Sequence, residues 1–156
     1  MKDYDEPMND QRSIKIHTEA DFDGMRKAGR LAAETMDYVI PFVKPGVTTD
    51  ELNTLCHDFI IDHGATPSPL NYRGFPKSIC TSINHVVCHG IPGDRKLVDG
   101  DIMNIDVTVT LDGWFGDHSR MVPAGKAGVK ARKLIDATFE AMWAGIRAVK
   151  PGATTG

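Results

Sequence analysis

The sequence predicts an α+β fold, and three observations support this prediction. Two segments before residue 65 place apolar side chains at helical spacing, residues 102–122 alternate apolar and polar side chains, and a further helical segment follows them. A chain of 156 residues suits one domain and can bury about two-thirds of the surface of its unfolded form. We therefore expect one hydrophobic core, built from helices and a hairpin.

Composition argues against several classes of partner. The chain has 18 Lys and Arg against 21 Asp and Glu and shows no basic stripe, which argues against nucleic acid as substrate or main partner. No apolar run approaches the ~20 residues that span a membrane. The three cysteines form no C-x-x-C pair and leave an odd thiol, so a reducing, cytoplasmic location is the simpler inference.

The first 13 residues are charged and contain no apolar segment. We therefore expect residues 1–13 to be a disordered N-terminal tail and not a signal peptide. Residues 14–156 would then form the folded part of the chain.

Two helices are predicted in the first part of the chain. The first begins at Thr18, which can cap it, and ends before Pro45. The second begins at the capping box Thr48–Glu51 and ends at His63-Gly64. Its apolar stripe places Cys56 in the core.

Between residues 65 and 100, short extended pieces alternate with Gly and Pro, which is typical of binding loops. Strands are predicted at Lys77 to Ser82 and at His85 to His89. Within this region Tyr72, Phe75 and Cys80 could line an apolar pocket, although packing against the helices explains them equally well.

His89 is the polar residue of this region that we single out. It ends an apolar run and precedes Gly90, so it lies at the end of a predicted strand, where side chains meet ligands. The alternative is a hydrogen-bonded structural histidine.

Residues 102–122 predict a hairpin that turns at Asp112-Gly113. With those two residues in the turn, Thr108 faces Asp117 and Asp106 faces Ser119. Asp106 and Asp117 are then diagonal neighbours on the polar face, roughly 7 to 8 Å apart at the backbone. Two such carboxylates could hold one cation, or two cations about 3.5 to 4 Å apart. The alternative is a solvated Asp106 and an Asp117 that belongs to a loop.

A third helix is predicted from about Val129 to Val149. Its inner side would carry Leu134, Ile135, Phe139, Met142, Ile146 and Val149. A shift of 106 residues aligns this region, Ala131 to Gly156, without a gap on Met25 to Asp50. Such self-similarity indicates an internal duplication, of which the chain would hold one and a fraction copies. The alternative is a chance match between two helices that end in Lys-Pro-Gly.

Five segments together carry a family resemblance: Lys44-Pro-Gly46, Asn71 to Cys80, Val86 to Pro92, Asp99 to Thr108, and Gly116-Asp117. From Ser13 to Gly156 the chain resembles the N-terminal part of bacterial-type (type I) methionine aminopeptidases. The resemblance implies the pita-bread (creatinase/aminopeptidase) fold, in which two pseudo-symmetric αβ halves enclose a metal site. The chain would hold the N-terminal half and the first helix of the second half.

The resemblance also implies an activity and roles for residues. The activity is removal of the initiator methionine from nascent proteins whose second residue is small, with two divalent ions (Mn, Fe, Co or Zn) as cofactors. Asp106 and Asp117 would be metal ligands, and Asp117 would bridge both ions. His89 would contact the substrate amide and assist proton transfer, and the pocket of Tyr72, Phe75 and Cys80 would accept the methionine side chain.

The family's other ligands, one His and two Glu, would lie beyond Gly156. We therefore expect this 156-residue chain to be inactive by itself and to expose an unpaired sheet edge that favours self-association. Nascent polypeptide N-termini are the expected partner, with ribosome contact and a monomeric full-length enzyme as further expectations from the resemblance. Arg73 departs from the family, which more often has His there.

Three alternatives stay open. One is a non-catalytic pita-bread module that binds peptides or proteins, and the retained Asp106, Asp117 and His89 weigh against it. Another is a related metallopeptidase that acts beside proline. The segment Tyr72 to Cys80 weighs against it, because this segment fits the methionine enzymes better. In the third, a second copy or a separate C-terminal fragment completes the site.

Overall fold

A computed structural model of the chain describes residues 15–154. The predicted tail at residues 1–13 lies outside this described part. In chain order the elements are α1 (Glu19–Val39) with a 3-10 turn (Ile40–Phe42), α2 (Thr49–Asp62), β1 (Thr66–Pro67), a 3-10 turn (Tyr72–Gly74), β2 (Cys80–Ile83), β3 (Ile102–Leu111), β4 (Trp114–Pro123) and α3 (Val129–Ala148).

Both predicted capping boxes are present. The Thr18 hydroxyl accepts a hydrogen bond from the Asp21 backbone N–H, and the Asp21 carboxylate accepts one from the Thr18 N–H at 2.7 Å. Thr48 and Glu51 form the same reciprocal pair at the start of α2. Each box satisfies backbone donors that a helix start leaves without intrahelical partners, so the sequence correctly located both starts.

Strand β3 organises the four-stranded sheet. It pairs along its whole length with β4, and on its other side with β2 near its start and β1 near its end, always antiparallel. The hairpin turns at Asp112 and Gly113, whose φ angles of 51° and 81° are those of a tight type I′ turn. Asp106 is opposite Ser119 and Thr108 is opposite Asp117, so the predicted register is confirmed.

The core lies between the two N-terminal helices and one face of the sheet. Met36 of α1, Leu52 of α2, and Ile105 and Val107 of β3 are fully buried in it. Where α1 crosses β4, Gly116 lies so close to the helix that a Cβ would sit 2.1 Å from the carbonyl oxygen of Ala28. The hairpin is therefore pressed against α1, with its alternate, polar face directed away from the helices.

Two predictions from the middle of the chain need correction. The first predicted strand begins only at Cys80 instead of Lys77, and the second, His85 to His89, is not a strand. The chain turns instead at Asn84, whose φ is 53°, and the Val86 N–H donates to the Ile83 carbonyl. His89 itself has φ 53°, which no strand accepts.

The third helix forms as predicted, but its inner side is not buried. None of the α3 residues is buried in the described chain, and Leu134, Phe139, Met142 and Ile146 each expose about half of their surface. Within residues 15–154 no helix is both long and apolar enough to cross a bilayer.

Candidate metal and peptide site

The polar face of the hairpin collects the side chains that the sequence singled out. Successive side chains of a strand point to opposite faces of the sheet. Ile105 and Val107 of β3 point into the core, so the opposite face carries Asn104, Asp106, Thr108 and Thr110. The strand register aligns Cys80 of β2 with Asp106, and Asp117 of β4 with Thr108. One sheet face therefore presents two carboxylates, a thiol and several hydroxyl groups.

Asp117 acts on the ionisation of Asp106. Burial is the largest cause that raises the pKa of Asp106, and the negative charge of Asp117 raises this pKa further. The Thr108 hydroxyl donates to Asp117 Oδ1 at 3.1 Å and so fixes one oxygen of that carboxylate. The diagonal placement expected from the sequence thus brings two acidic groups into mutual contact range.

An open cavity of about 770 Å³ lies over this face. Its wall includes five of the six residues that the sequence singled out: Tyr72, Phe75, Cys80, His89 and Asp106. The sixth, Asp117, is exposed and is bonded to the lining residue Thr108. The roles assigned to these six residues stay predictions, although the structure gathers them around one space.

His89 is exposed and lies on the cavity wall. A positive charge on His89 would partly oppose the rise in the pKa of Asp106. The adjacent Gly90 crosses β2 so closely that a Cβ there would lie 2.1 Å from the Thr81 carbonyl oxygen. The Thr81 N–H donates to the Gly90 carbonyl at 2.8 Å, so the segment that carries His89 is tied to β2.

Side chains of helix α2 bind the segment that precedes Cys80. The Asn53 side chain accepts a hydrogen bond from the Ser78 N–H at 2.8 Å, and the His57 ring is bonded to the Ser78 hydroxyl at 2.8 Å. Lys77 forms an ion pair with Asp50 of the same helix. Burial raises the pKa of the Cys80 thiol to about 11, and nearby negative charges, first that of Asp106, add to the shift. Cys80 is therefore a neutral, mainly apolar part of the wall.

The wall also includes residues that sequence reasoning did not identify as site residues, among them Thr108, Ile91 and Phe115. The predicted register already placed Thr108 opposite Asp117. The sequence could not show that the Thr108 hydroxyl donates a hydrogen bond to that carboxylate. Ile91 and Phe115 are both exposed, by 60% and 59%. Identifying them would have required knowledge of the three-dimensional fold, because Ile91 and Phe115 are far apart in the sequence and lie on the same cavity wall.

The donor set fits a divalent metal in part. Two carboxylates that are diagonal neighbours on one sheet face repel each other when both are ionised, and a cation between them would offset that repulsion. Carboxylate oxygens are ligands that hard divalent ions prefer. Among residues 15–154, however, no group of three or more His, Cys, Asp and Glu side chains is placed to hold an ion. The described residues therefore provide part of a ligand set.

Comparisons with known proteins agree with this geometry. The chain is 63% identical over 144 residues to the methionine aminopeptidase of Rickettsia prowazekii, a match that spans 92% of this chain and 56% of that protein. The crystal structure of methionine aminopeptidase from Rickettsia prowazekii superposes with a TM-score of 0.88 at 64% identity over 90% of this chain and 56% of that one. An Xaa-Pro dipeptidase from Bacillus anthracis shares the fold at a TM-score of 0.78 but only 21% identity, over 89% of this chain and 38% of that one.

These matches confirm the pita-bread fold that the sequence predicted. The chain spans about half the length of the curated relatives it matches. The model of metallopeptidase family M24 matches residues 23–156, which include every element of the site described above. The chain therefore belongs to metallopeptidase family M24.

Proposed function

We propose that this chain carries part of the active site of a methionine aminopeptidase, which removes the initiator methionine from nascent proteins whose second residue is small. The observation that carries the proposal is the meeting of Asp106 and Asp117 beside a largely apolar cavity. The names of the relatives support the choice of methionine over other N-terminal residues.

In this proposal Asp106 and Asp117 would hold two divalent metal ions, and Asp117 would be a ligand of both. Bound there, such ions supply Lewis acidity at the scissile carbonyl and a water of lowered pKa. Thr108 holds one oxygen of Asp117 and leaves the other free to turn toward Asp106. A carboxyl group whose pKa is raised by burial and by a neighbouring carboxylate, as for Asp106 beside Asp117, is typical of functional sites.

The cavity accepts the methionine side chain. Phe75 and Cys80 supply apolar surface on its wall, and Tyr72 contributes from the exposed rim. His89 contacts the substrate amide and assists proton transfer, for which its place on the same wall as Asp106 is suitable. Hydrogen bonds with Asn53 and His57 of α2 hold Ser78, two residues before the wall residue Cys80.

We further infer that the 156-residue chain alone does not turn over substrate. Two carboxylates leave most coordination positions of a divalent ion to water, so we expect an affinity on the order of 0.1 to 1 mM. We also infer a cytoplasmic location, which the free thiols of Cys56, Cys80 and Cys88 support. The second candidate is a non-catalytic module that binds peptides, which would account for the incomplete ligand set among the described residues.

Metal binding and methionine release test these proposals separately. Line broadening in NMR spectra on Mn(II) addition should centre on Asp106 and Asp117 and disappear in the double variant Asp106→Asn, Asp117→Asn. Asp112→Asn is the matched control, because it removes a carboxylate from the turn of the same hairpin, where Asn is equally suited to the positive φ. Unchanged broadening in the double variant would disprove the metal site.

Methionine release is measured with a Met-Ala-Ser peptide and Mn(II), with a chelator as control. We expect no release by the chain alone, and release when the chain is extended through the second half that its relatives possess. Chelator-sensitive release by the chain alone would disprove the inactivity. Metal and peptide binding without release even in the extended protein would favour the non-catalytic module.

A further inference from the structure

Arg73 lies at the tip of a tight loop on the cavity wall. The Asn71 N–H donates to the Phe75 carbonyl at 2.8 Å, and the Phe75 N–H donates to the Tyr72 carbonyl at 3.0 Å. These two bonds close the loop on itself. Arg73 is therefore presented by a defined turn that continues directly into the wall residue Phe75.

The backbone of this loop is strained. Asn71 and Arg73 have φ angles of 66° and 49°, in the left-handed region that non-glycine residues rarely adopt. Asn tolerates that region because its short side chain can bond locally, whereas Arg has no such relief. Strain of this kind concentrates where a side chain has a task at a binding site.

The charge of Arg73 has no carboxylate partner. Among residues 15–154 its guanidinium forms no ion pair, and its one recorded contact is with the Tyr72 ring, 5.4 Å from the ring centroid. No other Lys or Arg of this described part lines the cavity. The rim thus holds a single cation, oriented by an aromatic face and open to solvent.

We propose that Arg73 determines specificity by binding a carboxylate on the third residue of the peptide substrate. This inference rests on the proposed function, in which the first side chain occupies the cavity and the second residue is small. The third residue is then the first that can present an acidic side chain. Arg suits this task because its planar guanidinium can bind both oxygens of a carboxylate while it stacks on an aromatic ring.

The same chemistry is available from two sources, an acidic side chain and the free C-terminal carboxylate of a short peptide. Charge complementarity supports either source, because Arg73 is the one Lys or Arg side chain among residues 15–154 that lines the cavity. The ion pair between Arg73 and the peptide carboxylate would be exposed to solvent at the rim of the cavity. Its effect on affinity is therefore expected to be about two- to fivefold and to weaken as salt increases.

Peptide titrations of the isotopically labelled chain, followed by NMR, test the proposal by binding alone. The ligands are Met-Ala-Glu-amide, its neutral isostere Met-Ala-Gln-amide, and Met-Ala-Gln with a free carboxylate. Wild-type chain should bind the first about two- to fivefold more tightly than the second. Any preference for the third over the second reports the C-terminal source.

Two variants and one control complete the test. Arg73→Gln should abolish the preference for the acidic peptide, and Arg73→Lys should retain part of it as a point charge. The control is Arg132→Gln, which removes the same charge from the exposed surface of α3 and should keep the full preference.

Equal affinities of wild-type chain for the acidic and neutral amides would overturn the role of Arg73 and leave the proposed function standing. A preference lost in Arg132→Gln as well would also overturn it, because net charge would then be the cause. Absence of binding by both amides would refute the peptide cavity itself, and with it this inference.

Discussion

At the scale of single residues, the three cysteines occupy three different environments. Burial raises the pKa of Cys56 to about 12 and that of Cys80, on the cavity wall, to about 11, whereas Cys88 is exposed on the loop before His89. Since the thiolate is the reactive form, burial and a raised pKa both slow modification. The sequence identified Cys56 as a core residue, but it did not predict the exposure of Cys88, because residues 85–89 were predicted as a strand and form a loop.

This difference predicts stepwise labelling by a thiol reagent at neutral pH. Cys88 should react first, Cys80 more slowly, and Cys56 only when the chain unfolds. Mass spectrometry of iodoacetamide-treated chain, digested at intervals, measures the order, with denaturant-treated chain as the control in which all three react. Rapid labelling of Cys56 in the native chain would contradict the packing of α2 against the sheet.

At the scale of elements, the site depends on how closely α1 presses on the hairpin. Gly116 touches the backbone of Ala28, and its neighbour Asp117 is one of the two carboxylates. A side chain at position 116 would have to push the helix or the strand away, because the contact is with backbone atoms that cannot rotate aside.

We therefore predict that Gly116→Ala destabilises the chain by about 1 to 3 kcal/mol, the usual cost of overpacking. Gly29→Ala is the matched control on the facing helix. A Cβ at Gly29 meets nothing within 4 Å, so this variant should be more stable than wild type by up to about 1 kcal/mol through helix propensity. Urea denaturation measures both. Equal stabilities of the two variants would show that the close approach is not a constraint.

Helix α3 differs from α1 although their sequences are similar. The apolar side of α1 covers the sheet, whereas α3 has no buried residue in the described chain. Helices gain most of their stability from packing, so α3 should open locally at low free-energy cost. Hydrogen exchange should be faster at its amides than at those of α1. Equal protection of the two helices would mean that α3 is covered in solution, for example by self-association of the chain.

At the scale of the whole molecule, the sequence predicted what depends on local patterns. The capping boxes, the hairpin register and the helix starts all follow from nearby residues, and each was predicted correctly, whereas α1 ends at Val39, earlier than predicted. The loop at 84–90 and the places of Ile91 and Phe115 on the cavity wall were not predicted, because they depend on which segments meet over the sheet. Similarly, periodicity marked the apolar side of α3 but could not show that it lacks a partner among the described residues.

The stability of the whole molecule should depend on pH through carboxyl groups whose protonation has opposite effects on the free energy of unfolding. Hydrogen bonds from Thr18 and Thr48 are the main causes that lower the pKa of Asp21 and Glu51 below their ordinary values of 3.8 and 4.5. These carboxylates bind protons more readily in the unfolded chain, so their contribution is full above the unfolded pKa and is lost as pH falls through the folded pKa. For Asp106, burial and Asp117 raise the pKa above 3.8, so protonation as pH falls favours the folded chain.

We therefore predict that metal-free chain gains stability from Asp106 as pH falls toward 3.8, and loses stability from the two helix caps below about pH 4.5. Urea denaturation in a chelator, from about pH 3 to about pH 6.5, should show both effects through variants. Thr18→Ala with Thr48→Ala should flatten the acid-side loss, in addition to a cost of about 0.5 to 2 kcal/mol per cap near neutral pH. Asp106→Asn should remove the opposite slope, because an amide keeps the shape of the carboxyl group and carries no charge. Parallel curves for wild type and both variants would contradict the prediction, since the pH dependence would then arise elsewhere in the chain.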